Sequence, residues 1–186
     1  MKKFYFTTSN AKKIEEIQRI LPEVEIRNGA DLPEVLSDWK TVITYKSLDS
    51  DKYSVVEDTI MTVDGEEIVD IKWNIDNGKL KSTQKFSWRT SLAYNDGENI
   101  YIFSGVTNGI IVEPKTEGYG FDPYLLPDGC EVTVADLEKI GKKDEISPRK
   151  KALILFKQFI EEGRNTFEEV ISIKDIKPWV GKYQNS

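Results

Sequence analysis

Apolar and polar positions follow two different periods along this chain, and where they switch, elements can be read. Residues 3–8 are a short aromatic and β-branched run that reads as a buried strand. Behind it Ile14, Ile17 and Leu21 fall at helical spacing, with Ser9 or Asn10 placed to cap the helix and Pro22 to end it. Residues 24–26 read as the next strand, which completes a β-α-β opening. A further apolar run, residues 53–56, stops at the acidic pair Glu57-Asp58. Residues 85–94 and 99–103 read as two strands joined by Asn95-Asp96-Gly97-Glu98, an Asp-Gly turn suited to a hairpin. Residues 110–112 and 124–126 are short strands by the same criterion. Ser147-Pro148 then opens a helix whose apolar face is Ala152, Leu155, Phe156, Phe159 and Ile160, with Gly163 positioned to stop it. This order predicts an α/β fold with a mixed sheet. No repeat, low-complexity tract or linker interrupts it, so residues 1–186 are expected to form a single domain.

Composition removes whole classes of chemistry. The 186 residues include no histidine, so Ser-His-Asp and Cys-His nucleophile systems and His-built zinc sites are excluded. Catalysis must run on carboxylates, lysines, hydroxyls or a hard cation. The single Cys130 allows no internal disulfide, and no stretch approaches the ~20 apolar residues of a membrane span or resembles a targeting signal. A cytoplasmic protein without a membrane partner is the expectation. With 26 basic against 32 acidic residues the net charge is −6, which argues against a long nucleic acid as partner. A small phosphate ligand remains compatible, because positive charge clusters at Lys12-Lys13 and between Lys139 and Lys151.

Three places carry residues suited to chemistry. Thr7-Thr8-Ser9-Asn10-Ala11-Lys12-Lys13 lies where a strand runs into a helix, and free N–H groups, hydroxyls and a lysine there suit a phosphate, although a plain helix cap needs the same residues. It is not a P-loop, since the glycine-rich run is missing. Val56-Glu57-Asp58-Thr59 delivers carboxylates to a strand end, and alternation sends Glu57 and Asp58 to opposite faces. Glu117-Gly118-Tyr119-Gly120-Phe121-Asp122-Pro123 sets glycines between aromatics, which suits either a flat ligand or a tight turn over core rings.

Taken in order, these segments resemble the inosine triphosphate pyrophosphatase family. Thr8-Ser9-Asn10-Ala11-Lys12-Lys13, Asp31-Leu32-Pro33-Glu34, Val56-Glu57-Asp58-Thr59, Gly120-Phe121-Asp122-Pro123, and Lys143 with Ser147 and Arg149 follow that family's T-G-N-x-x-K, L-P-E, V-E-D-T, F-G-[YW]-D-P and K-x-x-x-S-H-R. The likeness implies an elongated α/β fold with a mixed, twisted sheet, flanking helices and two lobes around a nucleotide cleft. It implies Mg²⁺-dependent hydrolysis of inosine, deoxyinosine and xanthosine triphosphates to the monophosphate and pyrophosphate, usually by a homodimer. By the same likeness Thr8, Ser9, Asn10 and Lys13 would hold phosphates; Glu34 and Asp58, with Glu57 nearby, would bind Mg²⁺; and Asp58 would accept the proton. Lys46, Thr59 and Lys143 would contact the nucleotide, Tyr119 would stack on its base, Gly120, Phe121 and Asp122 would line the base pocket, and Arg149 would contact the 6-oxo edge.

The chain departs from the pattern in four places. Ser9 replaces a glycine, and Pro148 replaces the histidine of S-H-R. Residues 60–67 replace a glycine-rich stretch, and the segment after Ile71-Lys72-Trp73 is too short for the usual helix, so a trimmed second lobe is expected around residues 60–105. The tail, residues 165–186, has no assigned role. Two alternatives stay open: the same reaction on a modified or pyrimidine nucleotide, and a nucleotide-binding protein without catalysis.

Overall fold

The opening strand forms over Tyr5–Thr7 (β1) and pairs in parallel with Ile26–Arg27 (β2), the helix between them spanning Ala11–Ile20 (α1). On its other edge β1 pairs in parallel with Ser54–Val63 (β3), Phe6 standing opposite Val55. This computed structural model describes residues 2–29, 32–68, 74 and 77–184. Asp31 and the segment Ile71-Lys72-Trp73 lie outside them.

The remaining elements are Trp39–Leu48 (α2), Glu66–Glu67 (β4), Lys85–Asn95 (β5), Asn99–Ile111 (β6), Leu125–Pro127 (β7), Val134–Lys139 (α3), Pro148–Glu162 (α4) and Glu169–Ser172 (β8). Strand order is β2-β1-β3-β5-β6-β7, with β4 on β3 and β8 on β6, so this is a mixed, twisted α/β sheet with flanking helices. The chain divides into two compact units, Met1–Asp58 with Thr90–Ser104 and Arg149–Ser186, and Thr59–Arg89 with Gly105–Pro148. No helix among the described residues is long and apolar enough to cross a membrane.

In the first unit the sheet has a core on each face. Val55 shares one cluster with Phe6, Ile17 of α1, Leu92, Phe103 and the α4 residues Leu153, Phe156 and Phe159. Phe156 sits at its centre, meeting Phe4, Phe6, Tyr94 and Phe103 edge to face, so truncating it to alanine is expected to cost about 3–5 kcal/mol. Val56, one residue on, faces the other way and packs with Ile43 of α2, Ala93, Ile100 and Ile102. The second unit has its own core of Met61, Val63, Phe86, Ile111, Phe121, Leu125 and Val134. Gly109 must be glycine there, because a Cβ would stand 2.2 Å from the Leu126 carbonyl oxygen and 2.6 Å from the Phe86 ring.

Two expectations need revision, and two further elements go beyond what the sequence predicts. The run beginning at residue 53 does not stop at Glu57-Asp58: β3 continues to Val63, turns through Asp64-Gly65 with φ of 49° and 84°, and returns as β4. Two residues of positive φ make the tight hairpin connection that Asp-Gly favours, and this fills part of the stretch expected to be trimmed. Residues 110–111 continue β6 rather than forming a strand of their own. Helix α2 has no counterpart in the sequence reading; Val42, Ile43, Thr44 and Ser47 are all buried, so no clean apolar stripe marks it. The tail is structured, β8 pairing antiparallel with β6 from Asn99↔Ser172 to Ile102↔Glu169.

Candidate functional site

Helix α1 is capped by Asn10, whose Oδ1 accepts from the backbone N–H of Lys12 at 3.1 Å and of Lys13 at 3.2 Å. Thr8 Oγ1 in turn accepts from the Asn10 N–H at 3.2 Å, leaving Ser9 exposed at the junction. Both side chains hold the strand-to-helix turn in shape, and a cavity of about 440 Å³ opens beside it. Thr8, Ser9, Asn10, Lys13, Glu34, Lys46 and Glu57 line that cavity, so the structure brings most of the expected phosphate and metal residues to one place in the first unit. Polar walls with two lysines at a helix start suit an anion, and Glu34 and Glu57 stand in the same lining.

Because β3 keeps its alternation past Val56, Glu57 and Asp58 enter different surroundings. Glu57 shares the α1–α4 side of the strand with Val55. Arg149 Nε and Nη2 donate to its two oxygens at 2.7 and 2.8 Å, and Lys13 Nζ stands at 3.2 Å. Arg149 Nη1 donates to Glu16 at 2.6 Å, which completes a four-residue network. Burial alone would push the Glu57 carboxyl up, but Arg149 and then Lys13 outweigh it and hold the group ionised, below its ordinary range. Burial likewise works against the Arg149 charge, and Glu57 and Glu16 reverse that, so the guanidinium stays protonated.

Asp58 shares the α2 side with Val56. Lys46, on α2, donates from Nζ to Glu34 at 3.2 Å and to the Glu57 carbonyl at 2.9 Å, which ties the Glu34 loop to β3. The Asp58 carboxyl is pushed up to about 6, chiefly by burial; Lys46 opposes the rise and Glu34 adds to it. No side-chain hydrogen bond or ion pair engages it among the described residues. A buried carboxyl raised further by a neighbouring carboxylate is a site whose charge a bound cation would complete. Among the described residues no group of three His, Cys, Asp or Glu is gathered to form a full protein cage. That donor set fits Mg²⁺, which takes one or two carboxylates and fills its other positions with phosphate oxygens and water.

The second unit holds the remaining expected residues. Tyr119 is 69% exposed, whereas Phe121 is packed into the core and Asp122 is buried. Lys143 Nζ donates to Asp122 Oδ2 at 2.9 Å and lies 3.8 Å from Glu138. Gly120 adopts a φ of +54°, and a Cβ on Gly118 would stand 2.8 Å from Ala135, so the turn presenting Tyr119 depends on both glycines. Thr59 continues β3 and is exposed. Two participants carry no role in the sequence analysis: Glu16, which follows the Thr8–Lys13 motif on α1, and the tail, whose Gln184 N–H donates to the Glu34 carbonyl.

The Ham1 family model matches residues 70–159. An inosine triphosphate pyrophosphatase of Batrachochytrium dendrobatidis is 30% identical over 183 residues, the match covering 87% of this chain and 95% of that protein. Among solved structures, a HAM1 protein from Coxiella burnetii superposes with a TM-score of 0.68 at 22% identity, covering 87% of this chain and all of that one, which shows a common fold.

Proposed function

This chain belongs to the Ham1 family of its inosine triphosphate pyrophosphatase relative, and on that premise we propose that it hydrolyses non-standard purine nucleoside triphosphates to the monophosphate and pyrophosphate. The observation that carries the reading is the Asp58–Glu34 pair beside Lys46 and Lys13, next to a polar cavity at the start of α1. In this reading Glu34 and Asp58 hold Mg²⁺, which when bound stabilises negative charge on the phosphoryl group under attack. Asp58 is also the group that takes the proton of the attacking water onto its carboxylate. Lys13 and Lys46 balance the triphosphate charge, and Thr8, Ser9 and Asn10 shape the turn that meets it. Glu57, whose oxygens are taken by Arg149 and Lys13, orients Lys13. In the second unit Tyr119 stacks on the base, with Thr59, Gly120, Phe121, Asp122 and Lys143 completing recognition. The same reading carries a cytoplasmic setting, in keeping with a lone cysteine, and the homodimer that the resemblance implies.

Incubation with inosine, deoxyinosine, xanthosine and the ordinary triphosphates plus Mg²⁺ tests it, with pyrophosphate release as the readout. Release from the first three at rates well above ATP and GTP is the expected result, and no release from any triphosphate rejects it. A second reading keeps the reaction and changes the base. It is favoured by Arg149, whose Nε, Nη1 and Nη2 all donate to carboxylates, and by Pro148 in place of a base-contacting histidine. Modified-purine and pyrimidine triphosphates added to the same panel separate the two.

A further inference from the structure

The tail closes on the loop that carries Glu34. An antiparallel bridge joins Val35 to Tyr183; the Leu36 N–H donates to the Lys182 carbonyl and the Gln184 N–H to the Glu34 carbonyl, each at 2.8 Å. The Gln184 side-chain amide adds a bond to the Val35 carbonyl at 3.2 Å. The same tail also holds α2, the element that carries Lys46. Tyr45 Oη donates to the Lys177 carbonyl at 2.6 Å, its ring lies 5.3 Å from that of Trp179 at 61°, and Lys40 pairs with Glu169 of β8. Trp179 Nε1 donates to the Lys182 carbonyl at 3.1 Å, folding the tail back on itself before it reaches residue 34.

Glu34 is thus fixed from two directions, its carboxylate by Lys46 and its backbone by Gln184. Neither support is local: the residues that meet at Gln184 and Val35 are 149 positions apart. A two-residue stretch flanked by loop has no ladder of its own, so without the tail its carbonyls would bond to water and the Glu34 side chain would sample many positions. Ligands to a metal lose affinity when the groups that orient them are removed, and the strap orients this one through the backbone.

We propose that the segment from Lys177 to Gln184 is a positioning strap for cation binding, and that Gln184 is the positioning residue within it, placing Glu34 beside Asp58. This rests on the reading in which Glu34 and Asp58 hold the divalent ion. It adds a function for a part of the chain that the motif resemblance leaves without one, and it requires no contact between Gln184 and the ion.

The test compares the full chain with Gln184→Pro, which lacks both the backbone donor to Glu34 and the side-chain amide, and with Gln184→Ala, which keeps the backbone donor. Mn²⁺ alone serves as the probe, its free concentration read from its magnetic-resonance signal, so no turnover is needed. Gln184→Pro is expected to weaken Mn²⁺ binding about tenfold, while Gln184→Ala changes it less than about threefold. Amide exchange at Leu36 is expected to accelerate in Gln184→Pro, with the thermal midpoint nearly unchanged because the tail end is exposed. Trp179→Ala, which loosens the strap without touching the Glu34 loop, is expected to move Mn²⁺ affinity in the same direction. Equal Mn²⁺ affinity in Gln184→Pro and the unaltered chain overturns the strap, as does an unaltered chain that binds no Mn²⁺. A chain that binds Mn²⁺ as expected but releases no pyrophosphate rejects the hydrolase reading and leaves the strap supported.

Discussion

Glu57 and Asp58 are neighbours in sequence with opposite electrostatic surroundings, and each makes a prediction of its own. Asp58 titrates near 6 against an ordinary 3.8, so the folded protein binds its proton more tightly than the unfolded chain does. Ionising it therefore costs stability in full above about pH 6, and the cost fades as pH falls towards 4. Asp58→Asn is expected to lower turnover by about 10²–10⁴-fold while stabilising the metal-free protein by about 1–3 kcal/mol at pH 7.5. Urea unfolding at pH 7.5 and at pH 4.5 checks the sign, since the gain should shrink at the lower pH. For Glu57 the sign reverses. Its folded carboxyl is held low, so its contribution is present above about 4.5 and is lost as pH falls below that. Arg149→Ala takes both guanidinium hydrogen bonds from the buried Glu57 carboxylate, leaving it Lys13 at 3.2 Å, and is expected to cost about 3–5 kcal/mol in denaturant unfolding at pH 7. A loss below about 1 kcal/mol would show that Glu57 is not sealed from water.

Elements differ in how openly the sequence declares them. The β1-α1-β2 opening and helix α4 were legible because each buries one face and ends at a recognisable cap or breaker, such as Asn10 or Gly163 with its φ of +66°. The hairpin of β5 and β6 was legible from Asp96-Gly97, and in the structure Asp96 Oδ1 accepts from the N–H groups of Glu98 and Asn99. Helix α2 was not, because burial on several sides erases the period. Nor was the reach of β3 past Asp58: two carboxylates inside a strand look like its end until Arg149, 92 positions later, compensates one of them. The site motifs were legible as an ordered set, but the pairing of Arg149 with Glu57 and Glu16 depends on packing that no local pattern records. At the start of α1, Asn10→Ala removes the acceptor for two N–H groups and is expected to cost about 1 kcal/mol of stability. If that turn also shapes the phosphate site, the KM for triphosphate should rise in the same variant; an unchanged KM would separate cap from site.

At the scale of the whole molecule, the absence of histidine and the net charge of −6 are compatible with phosphate chemistry because the relevant charge is local. Lys13 and Lys46 line the cavity at the start of α1 together with Glu34 and Glu57. Long nucleic acid is accordingly expected not to bind at physiological salt, which a mobility shift with duplex DNA checks. The most direct test of the central claim is phosphorus magnetic resonance of the products formed from inosine triphosphate, Mg²⁺ and the full chain. Equal amounts of inosine monophosphate and pyrophosphate, lost in Asp58→Asn, are the expected result. Inosine diphosphate with orthophosphate, or undiminished turnover in Asp58→Asn, would contradict it.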